Sequence, residues 1–211
     1  MQAEKTEIAQ IQPDRTPIDY GQALHSPAAF EQAMKISKFL SQSTFIPQGF
    51  QNKPSDCLVA LQMSGTLGMS VFETMKGMYV VHGKPAFTSQ FAIAIANMKG
   101  PFKSGISYKS QGKGPDLEVT AYATHKKSGE QVSATFNMRQ AVAAGWAAKN
   151  KNYQILPEQM LSYKAAMMLI RKICPEILMG MSTDDEVIDT YETKENEAIK
   201  IMNNRVSEGN V

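Results

Sequence analysis

The sequence predicts an α+β fold: a small antiparallel sheet with a β-hairpin, packed against several helices in a single domain. Helical patterns at both ends of the chain enclose strand patterns in the middle, which is the order expected of this class. The 211 residues are 43% hydrophobic, enough for one substantial core. We expect a mobile N-terminal arm over residues 1–25, a core over 26–189, and an acidic C-terminal helix and tail over 190–211.

Local signals place most of the elements. Ser26-Pro27 is an N-cap followed by proline at the first helical position, and Gly68 ends the second helix. Ser70 and Glu73 have the spacing of a capping box. The predicted order is helices over 26–40, 55–67 and from 70, strands over 78–82 and 86–88, a helix over 89–98, a glycine-rich loop, a hairpin of strands over 117–124 and 131–136, a short helix over 137–144, a loop over 145–156, a long helix over 156–176, and an acidic helix from the capping box at 183–186 to about 203.

The long helix carries the most informative pattern in the chain. It is apolar nearly all round, so we expect it to be largely buried. Its two central cations, Lys164 and Arg171, are seven residues apart and therefore lie within about 20° of one line along the helix. A buried charge needs a counter-charge nearby, and Glu158 and Glu176 lie at the helix ends, off that line. We therefore expect part of the counter-charge to come from outside the chain, with a phosphate backbone as the leading candidate.

The distribution of charge supports polyanion binding. Residues 1–98 carry seven basic and seven acidic side chains, residues 99–172 carry twelve and four, and residues 173–211 carry three and nine. A basic middle followed by an acidic end is a charge asymmetry that indicates binding of a polyanion. The alternative at this point is a solvated lysine-rich face with no ligand.

Aromatic side chains are interleaved with the basic ones. Cations that follow a phosphate backbone, with rings on which bases stack, are what single-strand binding requires. For Trp146 or Tyr153 taken alone, packing at the edge of the long helix is the preferred interpretation. Besides Lys164 and Arg171, the candidate DNA-binding residues are Lys103, Lys109 and Lys113 in the glycine-rich loop, Lys126 and Lys127 in the hairpin turn, and Lys149, Lys151, Trp146 and Tyr153 before the long helix.

No catalytic constellation stands out. His25, His82 and His125 fall in three different elements without metal-ligand spacing, and neither glycine-lysine pair fits a phosphate-binding loop. Carboxylates between Asp184 and Asp189 suggest an alternative, a magnesium-dependent nuclease, although helix capping explains the first of them with fewer assumptions. We expect no cofactor and no enzymatic activity.

The remaining signals concern the compartment. No apolar run reaches the roughly 18 residues of a membrane span, and the first residues lack the apolar core of a signal peptide. Cys57 and Cys174 sit among apolar neighbours without paired spacing, so we expect buried free thiols in a reducing cytoplasm.

Several segments resemble the RecT family of phage and prophage single-strand annealing proteins, to which phage lambda Red beta is distantly related. The resemblance covers roughly residues 45–190. It is carried by Leu67-Gly-Met-Ser, by Met78-Tyr-Val-Val-His-Gly-Lys84-Pro85, by Ala143-Ala-Gly-Trp146, by Leu156-Pro-Glu-Gln-Met-Leu-Ser-Tyr-Lys-Ala-Ala with Arg171, and by Cys174-Pro-Glu-Ile-Leu-Met-Gly-Met-Ser-Thr-Asp-Asp-Glu-Val-Ile-Asp189.

The resemblance implies an ATP-independent recombination protein of phage or prophage origin, acting in a bacterial cytoplasm. Such a protein coats single-stranded DNA as a homo-oligomer, either a ring or a helical filament. It then pairs that strand with its complement through an annealed duplex intermediate, beside a partner 5′–3′ exonuclease. It also implies that Lys164 and Arg171 grip phosphates from the floor of a basic groove.

Overall fold

Eight helices and two three-stranded sheets pack around a large hydrophobic core, with a small second cluster at Ala33 and Leu61, in a computed structural model that describes residues 26–81, 84–184 and 186–187. The α+β prediction is confirmed. The predicted arm (1–25) and the predicted C-terminal helix and tail (190–211) lie outside the described residues. The helices are α1 (Pro27–Ser41), α2 (Pro54–Leu67), α3 (Val71–Gly77), α4 (Ser89–Lys99), α5 (Met138–Ala143), α6 (Trp146–Lys149), α7 (Asn152–Ile155) and α8 (Pro157–Ile173), and the strands are β1 (Met78–Val81), β2 (Lys84–Phe87), β3 (Ser107–Gln111), β4 (Glu118–Thr124), β5 (Gln131–Asn137) and β6 (Ser182–Thr183).

The predicted helix boundaries in the N-terminal half are confirmed, because each depends on a local signal. Proline occupies the first turn of both α1 and α2, and Gly68 ends α2 in the left-handed conformation at φ 59°. Ser70 and Glu73 exchange both hydrogen bonds of a capping box at the start of α3.

The first sheet has the order β1-β2-β6. Strands β1 and β2 form the predicted antiparallel hairpin, whereas β6 pairs in parallel with β2. The sequence did not predict β6, because two residues are too few to show a strand pattern. This short strand returns the chain from the end of α8 to the first sheet and so positions Met181 and Glu186 beside that helix.

The second sheet is fully antiparallel, in the order β3-β4-β5. On β4, Val119, Ala121 and Ala123 are buried and their neighbours are partly exposed, which is the alternation that predicted the hairpin. The prediction of one glycine-rich loop before the hairpin was wrong, because residues 107–111 form β3. All five residues of β3 are exposed, so no apolar alternation marks them as a strand.

Helix α8 lies at the centre of the molecule and packs on the inner face of the second sheet, on α4 and on α7. Its predicted burial is confirmed: eight of its residues are buried, and they point in almost every direction around the helix. The predicted loop over 145–156 was wrong in part. It contains the one-turn helices α6 and α7, preceded by Gly145 at φ 76°. Four residues give too little periodicity for a helix to be recognised.

Candidate nucleic-acid interface

One group of predicted cations meets at the hairpin turn. The Lys103 N–H donates to the Thr124 carbonyl at 2.7 Å, and the Lys126 N–H donates to the Pro101 carbonyl at 2.6 Å. The segment before β3 is therefore bound along the end of the hairpin. This brings Lys103 beside Lys126 and Lys127, all three exposed. We call these three residues the hairpin-end cluster.

The three lysines of this cluster are not equivalent. The Lys126 ammonium donates to the Gly100 carbonyl at 3.1 Å and so helps to hold the preceding segment against the turn. Lys103 and Lys127 have exposed side chains at the same end of the sheet. Three positive charges at one sheet end create a local positive potential suited to phosphate.

A second group forms around Lys164 on α8. The Lys164 Nζ lies 4.1 Å from the ring centre of Trp146, and Lys164 is only 8% exposed. Trp146 in turn stacks on Phe136 of β5, with ring centres 5.7 Å apart. A desolvated ammonium on an indole face is stabilised by the ring quadrupole. The face of the Trp146 ring thus stabilises part of the Lys164 charge, which the sequence predicted to be balanced by an external anion.

The counter-charge of Arg171 comes from within the chain. Its Nε donates to Glu186 at 2.6 Å, its Nη2 donates to the same carboxylate, and Nη2 also donates to the Met181 carbonyl at 3.2 Å. The expectation of an external counter-charge is therefore corrected for Arg171. Glu186 lies fifteen residues away in sequence, so helix geometry could not reveal it. The contact of Arg171 with a phosphate stays a prediction.

The pKa values of this pair reflect their contact. The hydrogen bond to Glu186 raises the pKa of Arg171 despite partial burial. Burial acts to raise the pKa of Glu186, but the hydrogen bonds from Arg171 and from the Thr183 N–H at 2.8 Å outweigh it and hold that pKa below its ordinary value. Both side chains are ionised at neutral pH.

Tyr153 belongs to the core. Only 3% of it is exposed, and it belongs to the same central hydrophobic cluster as Met160 and Leu161. A base needs an exposed ring face on which to stack, so the prediction of Tyr153 as a DNA-contacting ring does not fit this burial. The alternative of packing at the edge of the long helix is the one that the structure shows.

The other predicted lysines are spread over the surface. Lys109 pairs with Thr120, whose hydroxyl shares a hydrogen bond of 2.8 Å with Thr135 on the sheet face turned away from α8. Lys113 is exposed at the far end of the sheet, about 20 Å from the hairpin turn along the length of β4. Lys149 and Lys151 are exposed at the ends of α6 and α7. The structure does not bring these four lysines together.

The structure describes two carboxylates of the nuclease alternative, and both have partners within the chain. A carboxylate oxygen of Asp184 accepts a hydrogen bond from the Ser89 N–H at 3.3 Å, and Glu186 binds Arg171. Asp185 and Asp189 lie outside the described residues. Within 26–81, 84–184 and 186–187, no group of three or more His, Cys, Asp or Glu residues has the geometry of a metal site. Over the same residues, none of the helices has the length and apolarity needed to cross a membrane.

A cluster that the sequence did not predict lies between β3 and α8. The carboxamide nitrogens of Gln90 and Gln159 each donate to the Tyr163 hydroxyl at 2.6 Å, and the Ser110 hydroxyl donates to Glu158. Gln159 and Tyr163 are four residues apart on one helix, which is a recognisable spacing. Gln90 comes from α4, so only the fold could have shown it. We call this region the β3–α8 cleft.

The chain thus combines an exposed cationic sheet end with a helix that carries two aligned cations, a distribution of charge that suits a polyanionic ligand. The RecT family model matches residues 96–199, which include that sheet, α5–α8 and both cations of α8. Residues 96–199 therefore carry the domain of the RecT family, the DNA-binding proteins of recombination whose class activity is single-strand annealing. Searches of the curated proteins and of the solved structures found no match.

Proposed function

We propose that this protein binds single-stranded DNA and anneals it to a complementary strand without ATP, coating the DNA as a homo-oligomer. The observation that carries this proposal is that the family match contains both the hairpin-end cluster and the cations of α8. The partners implied are single-stranded DNA, the annealed duplex intermediate and a 5′–3′ exonuclease that supplies the strand. The site of action is the cytoplasm of a bacterial host, with the gene carried by a phage or prophage.

The proposed mechanism needs no chemical step. Lysines bound to phosphates hold one strand extended and leave the base edges free to test a second strand. Correct pairing then releases about 1.4 kcal/mol per stacked base-pair step, which drives the reaction. The protein contributes alignment and charge neutralisation, which lower the repulsion between two phosphate backbones.

Lys164 and Arg171 have different parts in this proposal. Burial against Trp146 fixes the direction of the Lys164 side chain, so a phosphate that reaches its ammonium is bound with little loss of side-chain entropy. Arg171 already uses Nε and Nη2 on its own chain, so a phosphate would contact its Nη1 side. In this proposal Arg171 links the bound DNA to Met181 and Glu186.

The test is annealing of two complementary labelled oligonucleotides without ATP, followed by energy transfer, together with the salt dependence of single-strand affinity. Lys103→Ala/Lys127→Ala should slow annealing and reduce the slope of log affinity against log salt by about 0.7 for each phosphate that the variant no longer binds. Lys35→Ala/Lys38→Ala on α1 removes the same charge from exposed positions outside the family match and should leave the slope unchanged.

For α8 the informative variant is Lys164→Met, which keeps the buried stem and removes only the charge. Relative to the wild type, it should lower the slope of log affinity against log salt by about 0.7, the value for one lost phosphate contact, while the protein still unfolds cooperatively. A slope equal to that of the wild type would show that Lys164 only packs against Trp146. No acceleration of annealing by the wild type at low salt would contradict the proposed function itself.

A further inference from the structure

The rings predicted to stack on bases are engaged in the fold. Tyr153 is buried, and the Trp146 ring contacts Phe136 on one element and Lys164 on another. An annealing protein that holds bases in order nevertheless gains from an exposed ring beside its phosphate contacts, because every base has a face that stacks. The β3–α8 cleft supplies such a ring in Tyr108.

The geometry of the cleft aligns strand and helix. Ser110 on β3 donates to Glu158 on α8, so the inner face of this edge strand is turned toward the helix. Tyr108 lies two residues before Ser110 on β3, about 7 Å back along the strand. Tyr163 lies five residues after Glu158 on α8, about 7 Å further along the helix axis. Five residues turn the helix by about 140°, so Tyr163 lies part of the way around α8 from Glu158. The phenols of Tyr108 and Tyr163 are nevertheless close enough that Tyr163 helps to raise the pKa of Tyr108.

Tyr108 is partly accessible, with 39% of the residue exposed. Burial raises the pKa of its phenol, and the nearby Tyr163 adds to that effect, so the ring stays neutral at physiological pH. A neutral, partly exposed ring on a strand is a suitable stacking surface for a base. Lys109, the next residue, is exposed on the opposite face of the same strand.

Tyr163 is held in place from two helices. Its oxygen accepts hydrogen bonds from Gln90 on α4 and Gln159 on α8, which leaves its own proton to be donated outward. The start of β3 is bound to α4 as well, since the Ile106 N–H donates to the Asn97 carboxamide oxygen at 2.8 Å. Tyr163 and the start of β3 are therefore both tied to α4 before any ligand arrives, which reduces the entropy cost of binding.

We propose that the β3–α8 cleft is a nucleobase subsite, in which Tyr108 stacks on the face of a base and Tyr163 donates a hydrogen bond to the bound nucleotide. The proposal rests on the proposed function and adds to it an interaction that carries no charge. Stacking covers a base face and leaves the pairing edge open, so a strand held in this way stays competent to anneal.

The test compares two strands that differ only in their bases: a thymidine oligonucleotide and an abasic oligonucleotide of equal length. Tyr108→Ala should lower affinity for the thymidine strand by about tenfold, the scale of one base–aromatic stacking interaction, and leave affinity for the abasic strand unchanged. Tyr108→Phe keeps the ring and should bind both strands as the wild type does. The salt slope should be the same in all three proteins, because each of them keeps every lysine and arginine that binds phosphate.

The matched control is Tyr122→Ala, which removes a partly exposed tyrosine from the opposite face of the same sheet. It should leave both affinities unchanged. Equal falls in affinity for the two strands, equal falls for Tyr108→Ala and Tyr122→Ala, or a fall in Tyr108→Phe as large as in Tyr108→Ala would each overturn the nucleobase subsite. Wild-type annealing is measured in the same series, so failure of the subsite is distinguishable from failure of the proposed function.

Discussion

The contact between Arg171 and Glu186 changes how the cations of α8 are understood. The sequence shows two equivalent charges on one line, whereas the structure gives them different surroundings. Lys164 lies on an indole face, and Arg171 holds a carboxylate that also binds the Thr183 N–H. Since Glu186 connects α8 to the helical residues described after β6, the pair stabilises the C-terminal end of the core as well as orienting Arg171.

This pair predicts a specific dependence of stability on pH. The pKa of Glu186 is lower in the folded chain than its ordinary value of 4.5, so its contribution is present above that value and disappears as the pH falls through the folded pKa. Glu186→Gln should lower the free energy of unfolding by about 1 kcal/mol at pH 7, given that the pair is partly exposed. Denaturant unfolding at several pH values should show the gap from the wild type closing in acid.

The control for this measurement is Glu130→Gln, at an exposed position near the hairpin turn. It should leave the free energy of unfolding nearly unchanged across the same range. If the gap between Glu186→Gln and the wild type were constant from pH 7 into acid, the hydrogen bonds of Glu186 would be independent of its charge, contrary to the expectation.

At the scale of elements, a close approach fixes the junction between α3 and β1. Gly77 ends α3 against the ring of Phe91 on α4, and that ring also packs edge-on against Phe87 of β2, with ring centres 5.3 Å apart. A Cβ on residue 77 would lie 2.1 Å from the Phe91 ring, far inside van der Waals contact. Only glycine lets the helix, the hairpin and α4 meet at this point.

Gly77→Ala should therefore destabilise the protein by about 1–3 kcal/mol or more, because a buried aromatic ring must move to make room. The control is Gly49→Ala, where a new Cβ would meet nothing within 4 Å. Thermal unfolding should show a clear fall in Tm for Gly77→Ala and little change for Gly49→Ala. Equal Tm values for the two variants would mean that Phe91 rearranges without cost.

At the scale of the whole molecule, the proposed function and the nuclease alternative differ in their need for metal. Annealing as proposed draws on base pairing alone. A nuclease would need carboxylates free to bind magnesium, and the two that the structure describes, Asp184 and Glu186, bind the chain's own N–H groups and Arg171.

The protein should accordingly anneal oligonucleotides at the same rate in EDTA as in magnesium, once ionic strength is matched. End-labelled single strands incubated with magnesium should keep their full length on a denaturing gel. Shortened strands that appear with magnesium, disappear with EDTA and are absent with Asp185→Asn would support the nuclease instead. Asp184→Asn is a poor choice for this test because it also alters a hydrogen bond to Ser89.

Much of the architecture could be predicted because its signals are local. The capping box at Ser70–Glu73, the glycine that ends α2 and the alternation on β4 each act within a few residues, and each is found as predicted. Strand β3 was missed because an edge strand whose residues are all exposed has no apolar face to display. Helices α6 and α7 were missed because a single turn has no period.

The candidate site was predictable only in part, for a related reason. The sequence by itself determined that α8 is buried, that Lys164 and Arg171 share a line on it, and that a basic hairpin precedes it, because helix and strand periods fix which residues share a face. Only the tertiary structure decided which groups those faces meet. Glu186 reaches Arg171, Trp146 reaches Lys164, and Gln90 reaches Tyr163 from 73 residues away. Such contacts depend on how elements pack and on strand register, which no local pattern of residues encodes.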